Sequence, residues 1–146
     1  MSASLFSLSR RVALIAIAAV TVGACAEIRQ VTYPPDFRYI DRAEVQSTMA
    51  ELGSRIWEMD EILAANPKPT PEQRLQVLDL LTEIQSFAST LDPKGKATNH
   101  LLIDSHLDAF LEQVEYARLS LAMEPPSFYR AGMLSGSCMG CHQYRR

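Results

Sequence analysis

Residues 42–63 read RAEVQSTMAELGSRIWEMDEIL, and the spacing of their apolar side chains decides the fold class. These side chains recur at intervals of four and three residues, which places them on one face of an α-helix. They are Val45, Met49, Leu52, Ile56, Met59 and Leu63. Residues 66–69, Asn-Pro-Lys-Pro, follow, and proline disfavours helical backbone in the residue before it. The stretch therefore predicts one long amphipathic helix that ends near residue 66.

Two further helices are predicted beyond that loop. Thr70 is expected to cap the first of them, because Pro71 suits the first helical position and Gln73 completes a capping box. Its predicted inward face consists of Leu75, Leu78, Leu81, Ile84, Phe87 or Ala88, and Leu91. A loop at residues 92–96 separates it from a helix predicted over about residues 99–123. The inward face of that helix consists of Leu107, Phe110, Val114, Ala117 and Leu121.

A fourth helix is predicted from about residue 128 to the end of the chain, because Pro125 and Pro126 end the third. Gly132 and Gly136 should weaken it locally, since each glycine costs about 1 kcal/mol relative to alanine. No stretch alternates in the manner of a strand. The chain is therefore expected to be all-α, an antiparallel four-helix bundle.

Composition narrows the class of function before any motif is considered. The chain has 146 residues and a formal charge of −3, which fits one domain without the basic field that nucleic acids require. It contains no paired-carboxylate, Ser-His-Asp or glycine-rich phosphate motif. The sequence therefore predicts neither a nucleic-acid binder nor an enzyme.

The first residues have the pattern of an export signal. Arg10 and Arg11 precede residues 12–26, VALIAIAAVTVGACA, which are uncharged and too short to span a bilayer. Residues 22–25, Val-Gly-Ala-Cys, resemble the cleavage site of bacterial lipoproteins, in which the cysteine receives the lipid. An ordinary signal peptide cut near residue 24 or 26 is the alternative.

The lipoprotein interpretation divides the chain into three parts. Residues 1–24 are the predicted signal peptide, residues 25–36 a tether that begins at a lipidated Cys25, and residues 37–146 the working domain. Cleavage would leave 12 basic and 17 acidic residues, a net charge of about −5. Ala26 after the cysteine favours the outer membrane in the sorting pattern of that family. The expected location is the periplasm, with the membrane reached through the lipid anchor only.

The motif that carries chemistry lies at the other end of the chain. Cys138-Met139-Gly140-Cys141-His142 is a CxxCH sequence, the attachment pattern of c-type haem. The two thiols would bond covalently to one haem c per chain, and His142 would bind the iron as an axial ligand. Covalent attachment of haem c takes place outside the cytoplasm, in agreement with the export signal.

Three other interpretations of the motif are weaker. A thiol-redox pair would be expected in a βαβ context, a zinc site would need a fourth nearby ligand, and a disulfide would leave His142 unexplained. The remaining histidines, His100 and His106, belong to a different predicted helix. A haem-free thiol-redox or structural lipoprotein is therefore kept as a further alternative.

A helical domain that ends in CMGCHQYRR resembles the cytochrome c prime family, four-helix bundles with the haem attached to the last helix. The resemblance covers residues 37–146 and rests on this tail and on residues 42–63. One departure concerns the residues after the histidine, where Tyr144 follows His142 by two positions and Arg145 and Arg146 end the chain. The family usually places the aromatic residue three positions after the histidine.

The resemblance implies that the second axial position of the iron faces the first helix. Met49 is a possible distal ligand, and a Met-ligated iron would transfer single electrons to a redox partner protein. Val45 in its place would leave a five-coordinate iron that binds small gases such as NO or CO. His106, and less so His100, are minor candidates for this position. The resemblance also implies a possible homodimer.

Other side chains are assigned supporting roles. Arg42 and Arg145 or Arg146 are candidates for pairing with haem propionates, because guanidinium groups bind carboxylates in a bidentate manner. Trp57 and Tyr116 are expected to pack against the haem or between helices, and packing in the core is the favoured interpretation. The expectation is thus a periplasmic monohaem cytochrome that transfers electrons, with gas binding as the alternative.

Overall fold

The computed structural model describes residues 33–66 and 68–142. It divides into two units, Met1–Phe37 and Arg38–Arg146. The predicted signal peptide, Cys25 and the residues after His142 lie outside the described residues. In the first unit, the rings of Tyr33 and Phe37 stack with centroids 4.7 Å apart, and the Phe37 N–H donates to the Pro34 carbonyl. No helix within the described residues is both long and apolar enough to cross a membrane.

The chain is predominantly helical, as the sequence predicts. The helices are α1 (Arg42–Ala65), α2 (Pro71–Thr90), α3 (Leu101–Ala122), α4 (Tyr129–Gly132) and α5 (Leu134–His142). Two strands of two residues each, β1 (Phe37–Arg38) and β2 (Ala97–Thr98), form a minimal sheet that the sequence pattern does not predict. α1 packs against α2, and α2 packs against α3. α4 and α5 both pack against α1 and α3.

Local hydrogen bonds explain where the long helices begin. The Asp41 carboxylate caps α1 by accepting from the Ala43 N–H at 3.1 Å. The predicted capping box of α2 is confirmed: Thr70 Oγ1 accepts from the Gln73 N–H at 3.2 Å, and Gln73 Oε1 accepts from the Thr70 N–H at 2.9 Å.

The core follows the predicted apolar faces, but three side chains expected in the core, Leu75, Trp57 and Tyr116, are exposed. The α1 residues Leu52, Ile56 and Met59 are buried, as are Val114, Ala117 and Leu121 of α3. On α2, however, Leu75 is 63% exposed. The prediction for Leu75 is wrong because the buried stripe consists of Val77, Leu80, Leu81, Ile84, Ala88 and Leu91, and residue 75 lies about 200° around the helix from residue 77.

Trp57 is the second of these three side chains. It is 70% exposed, although the sequence analysis expects it in the core. Trp57 follows the buried Ile56 directly, and a single residue step turns the helix by about 100°, which removes the indole from the inward face.

The predicted fourth helix is interrupted. α4 ends at Gly132, Met133 separates it from α5, and the N–H groups of Met133 and Gly136 donate to the carbonyls of Tyr129 and Met133. The break lies next to a glycine, the residue with the lowest helix propensity apart from proline. The low propensity therefore ends one helix here, beyond the local weakening that the sequence predicts.

The helical unit has two distinct ends. We call one of them the near end, because it contains Arg38, the first residue of this unit. It consists of residues 38–41, 90–102 and 141–142. α1 and α3 begin at this end, and α2 and α5 end there. The near end is held together by side chains: Asn99 donates to the Ile40 carbonyl and accepts from the Ile40 N–H, and Arg38 donates to the Thr90 carbonyl at 2.7 Å. At the far end, residues 66–70 join α1 to α2, and Arg74 pairs with Glu124 at 2.8 Å.

Candidate functional site

The three residues of the CxxCH motif lie on one side of α5. Cys138 and His142 are four residues apart and Cys141 is three from Cys138, so their side chains project from the same helical face. Both cysteines are free thiols and half-buried, and Cys138 packs against the core. Cys141 Sγ lies 4.0 Å from the Leu102 carbonyl oxygen at the start of α3. His142, the last residue of α5, is exposed.

This face of α5 borders an apolar cavity of about 240 Å³ between α1, α3 and α5. All three motif residues line it, together with Ser137 from the same helix. The remaining walls come from α1 and α3 and are formed by Met49, Leu52, Gly53, Ile56, Ile103, Leu107 and Phe110. The cavity therefore brings both thiols and the imidazole together with apolar side chains from two other helices.

Met49 is the α1 residue in the cavity wall that carries a potential iron ligand. Val45, one turn earlier, packs against the core and does not line the cavity. Met59 is fully buried and Met133 is exposed, and neither borders the cavity. Of the first-helix candidates for the distal position, the structure thus brings Met49 to the motif and not Val45.

Gly53 and Ser137 are wall residues that the sequence analysis misses. A Cβ atom added to Gly53 would meet no heavy atom within 4 Å, so the glycine leaves open space in the wall one turn after Met49. The Ser137 hydroxyl donates a short hydrogen bond to Gln113 Oε1 and so joins α5 to α3. The spacing of four residues between Met49 and Gly53 is a signal that could have identified the glycine.

The environment of the two thiols raises their pKa values. For Cys138 the main cause is desolvation by burial, and the negative charge of Asp60 adds to it. For Cys141 burial is again the main cause, followed by the charge of Cys138. Thiol-redox catalysis relies on a lowered pKa, typically at a helix N-terminus, whereas Cys141 lies in the last turn of α5. Neither thiol therefore has the lowered pKa that favours disulfide exchange.

The other two histidines do not line the cavity that the motif borders. His100 precedes α3, and its Nε2 lies 3.2 Å from the Ile40 carbonyl oxygen. His106 is half-buried on α3, and neither histidine lines the cavity. Within residues 33–66 and 68–142, no three His, Cys, Asp or Glu side chains are grouped as a metal site.

The residues assigned supporting roles also lie away from the cavity. Tyr116 is exposed, donates to Glu112 at 2.9 Å and lies under the guanidinium of Arg130, so the expectation that it packs in the core is wrong. Arg42 is exposed at the start of α1 and does not line the cavity. Tyr144, Arg145 and Arg146 lie outside the described residues.

Comparisons of the chain with protein-family models, with curated proteins and with solved structures find no match.

Proposed function

We propose that this protein is a monohaem c-type cytochrome that transfers single electrons from a lipid-anchored position in the periplasm. The observation that carries the proposal is the shared cavity: the two thiols and the imidazole of a CxxCH motif line it from one side, and Met49 lines it from another. In this proposal the domain is an antiparallel four-helix bundle, in which α4 and α5 together occupy the fourth position.

The residues present fit a covalently attached haem. Two free thiols three residues apart and an adjacent imidazole supply the attachment and axial groups, and the apolar wall suits a porphyrin. The cavity of about 240 Å³ is partly open to solvent. His142 is exposed in that same region.

The residues that line the cavity have distinct roles in this function. Bound haem iron would supply a one-electron couple. Cys138 and Cys141 would hold the group by thioether bonds, a ring nitrogen of His142 would bind the iron, and the Met49 sulfur would complete its coordination. Leu107 and Phe110, with the other apolar wall residues, would bury part of the bound group, and such burial is one of the means by which a protein sets a reduction potential.

Covalent attachment is tested by export of the full chain in a host that attaches haem c, followed by a haem stain after denaturing electrophoresis. The wild-type chain should stain, and the double variant Cys138→Ser/Cys141→Ser should not. Cys25→Ser is the matched control, because it removes a cysteine outside the motif and should keep the stain. A wild-type chain that is exported and folded but does not stain would refute the haem proposal.

Binding of a diatomic gas is the second candidate function, and Gly53 favours it. The open space at this glycine lies in the apolar wall beside Met49, where a small ligand would have room if the methionine did not bind the iron. Carbon monoxide added to the ferrous protein distinguishes the two: an unchanged absorption spectrum supports electron transfer, and a shifted spectrum supports gas binding.

The lipid anchor at Cys25 and the outer-membrane location are parts of the same proposal that rest on the sequence. Metabolic labelling with a radioactive fatty acid should mark the wild-type chain and not Cys25→Ser. Pairing of two copies also stays a prediction, and sedimentation of the haem-loaded protein measures it directly.

A further inference from the structure

The part of α5 that carries the motif, residues 137–142, is packed less tightly than its first turn. Leu134 in that first turn is fully buried, whereas Cys138 and Cys141 are half-buried and His142 is exposed. A break separates α5 from α4, so α5 does not continue a longer helix. On the α1 side of the cavity, a Cβ atom added to Gly53 would meet no heavy atom within 4 Å. Burial of apolar side chains therefore holds residues 137–142 only in part.

Two side chains of this segment contact α3. The Ser137 hydroxyl donates to Gln113 Oε1, and Cys141 Sγ lies 4.0 Å from the Leu102 carbonyl oxygen. Ser137 and Cys141 are four residues apart, so both contacts are made by the same side of α5. The Cys141 contact depends on the thiol hydrogen, and a thioether sulfur carries no hydrogen. The bond between Ser137 and Gln113 uses no group that a haem would occupy, so it is compatible with both the haem-free and the haem-loaded chain.

We propose that Gln113 is a positioning residue, which holds residues 137–142 against α3 and thereby sets the distance between His142 and Met49. His142 belongs to α5 and Met49 to α1, and both must reach the same iron atom if they are its axial ligands. Gln113 does not line the cavity, and it acts through Ser137, the residue next to Cys138. Groups that orient metal ligands without touching the metal commonly control how firmly the ligands bind. The inference rests on the haem function proposed above.

A set of four variants tests whether the two residues act through their hydrogen bond. Gln113→Ala and Ser137→Ala each remove one partner, and the double variant removes both. If the bond is responsible, the double variant should have about the same effect as either single variant. Gln85→Ala is the matched control, because Gln85 Oε1 accepts from Arg118 Nη1 at 2.9 Å, joins α2 to α3, and lies outside the cavity wall.

The first measurement uses the haem-free full chain and is independent of haem attachment. The reduced chain is treated with iodoacetamide, and the alkylation rate at Cys138 is measured by mass spectrometry of its peptide. A half-buried thiol reacts when the surrounding segment opens locally, so loss of the bond to α3 should increase the rate. We expect an increase of about threefold in Gln113→Ala and in Ser137→Ala, the effect of one exposed hydrogen bond. Gln85→Ala should react at the wild-type rate.

The second measurement uses the exported, haem-loaded chain. Cyanide is added to the ferric protein, and the rate at which it replaces the Met49 sulfur on the iron is followed by absorption spectroscopy. Replacement requires the bond between the iron and this sulfur to open. Gln113→Ala should therefore bind cyanide about threefold faster than both the wild-type chain and Gln85→Ala.

The outcomes separate this inference from the haem proposal. If the chain stains for haem but Gln113→Ala matches the wild-type chain in both rates, the inference is overturned and the haem function stands. Additive effects of the two single variants would also overturn it, because the residues would then act separately. Faster alkylation without faster cyanide binding would limit Gln113 to stabilising the fold and would refute the positioning role. A folded, exported wild-type chain that does not stain would refute the haem function and the inference together.

Discussion

Replacing Met49 with leucine separates iron ligation from packing. Leucine keeps the apolar character and nearly the volume of methionine but has no sulfur to bind iron. If Met49 completes the coordination of a haem held by His142, Met49→Leu should convert a low-spin iron to a high-spin iron. The ferrous absorption bands should broaden, and they should shift when carbon monoxide is added.

The structure limits how much of this change can come from damage to the fold. Met49 is half-buried in the cavity wall, and exchanges between methionine and leucine in cores usually cost less than about 1.5 kcal/mol. For a partly exposed position we expect a loss below about 1 kcal/mol, which corresponds to a decrease in Tm of about 5 °C or less. The protein should therefore remain folded at room temperature while its spectrum changes.

Met59→Leu is the matched control. Met59 belongs to the same helix and is fully buried but does not line the cavity, so its replacement should cost as much stability or more without altering the spectrum. Two results would refute the reasoning. A low-spin spectrum that is unchanged in Met49→Leu would show that Met49 only packs, and a wild-type protein that already binds carbon monoxide would favour gas binding.

The cap of α2, the hydrogen bonds of Asn99 and the burial of the two thiols each support a further prediction. Thr70→Ala removes the hydroxyl that accepts from the Gln73 N–H and should lower the free energy of unfolding by about 1 kcal/mol, measured by urea denaturation. An unchanged midpoint would contradict the role of the cap. Asn99→Ala leaves the N–H of the buried Ile40 without its hydrogen-bond acceptor and should lower the free energy of unfolding by about 1–3 kcal/mol in the same assay. A decrease smaller than a few tenths of a kcal/mol would show that a water molecule replaces the lost acceptor. In the haem-free protein, Cys138 and Cys141 should react with iodoacetamide more slowly than in the unfolded chain. Because folding raises the pKa values of both thiols, the folded state should lose stability as the pH rises through the range in which the thiols of the unfolded chain ionise; equal alkylation rates would refute the effect of burial.

The three long helices could be predicted from the sequence because the features that indicate them, apolar periodicity and capping residues, are local. The apolar face of α1 runs from Val45 to Leu63 in a helix of 24 residues, so a single misplaced side chain cannot obscure its period. The cap of α2 is specified within four residues, from Thr70 to Gln73, and needs no tertiary contact. Neither feature depends on the rest of the molecule, and for this reason both could be predicted.

The wrong predictions for Leu75 and Trp57 have a different physical origin. They depend on which of several apolar side chains the neighbouring helices cover. α2 has leucines at positions 75, 78, 80 and 81, which belong to two overlapping faces, and packing against α1 and α3 selects the face without Leu75. Trp57 is large and apolar but lies outside the contact with neighbouring helices. The break between α4 and α5 is a local effect, because it lies beside Gly132, whose low helix propensity ends one helix where the sequence analysis expects only a local weakening.

The candidate site could be predicted in part. The helical spacing of Cys138, Cys141 and His142 follows from the motif, and the structure places them together on α5. The opposite wall required the structure, because Val45 and Met49 are one turn apart on the same apolar face, and sequence periodicity does not distinguish between them. Only the packing of α1 against α5 shows which of the two borders the cavity.

The paired hydrogen bonds between Asn99 and Ile40 also determine how the domain responds to mechanical load. A force applied through an N-terminal anchor would reach Arg38 and Ile40 before it reached the first turn of α1. These side-chain bonds would carry the load in parallel, and α1 would not unwind residue by residue until they had broken. The domain should accordingly withstand a sharp pull at its N-terminus better than the Asn99→Ala variant does. Single-molecule extension of the two proteins would show this as a lower first rupture force in the variant.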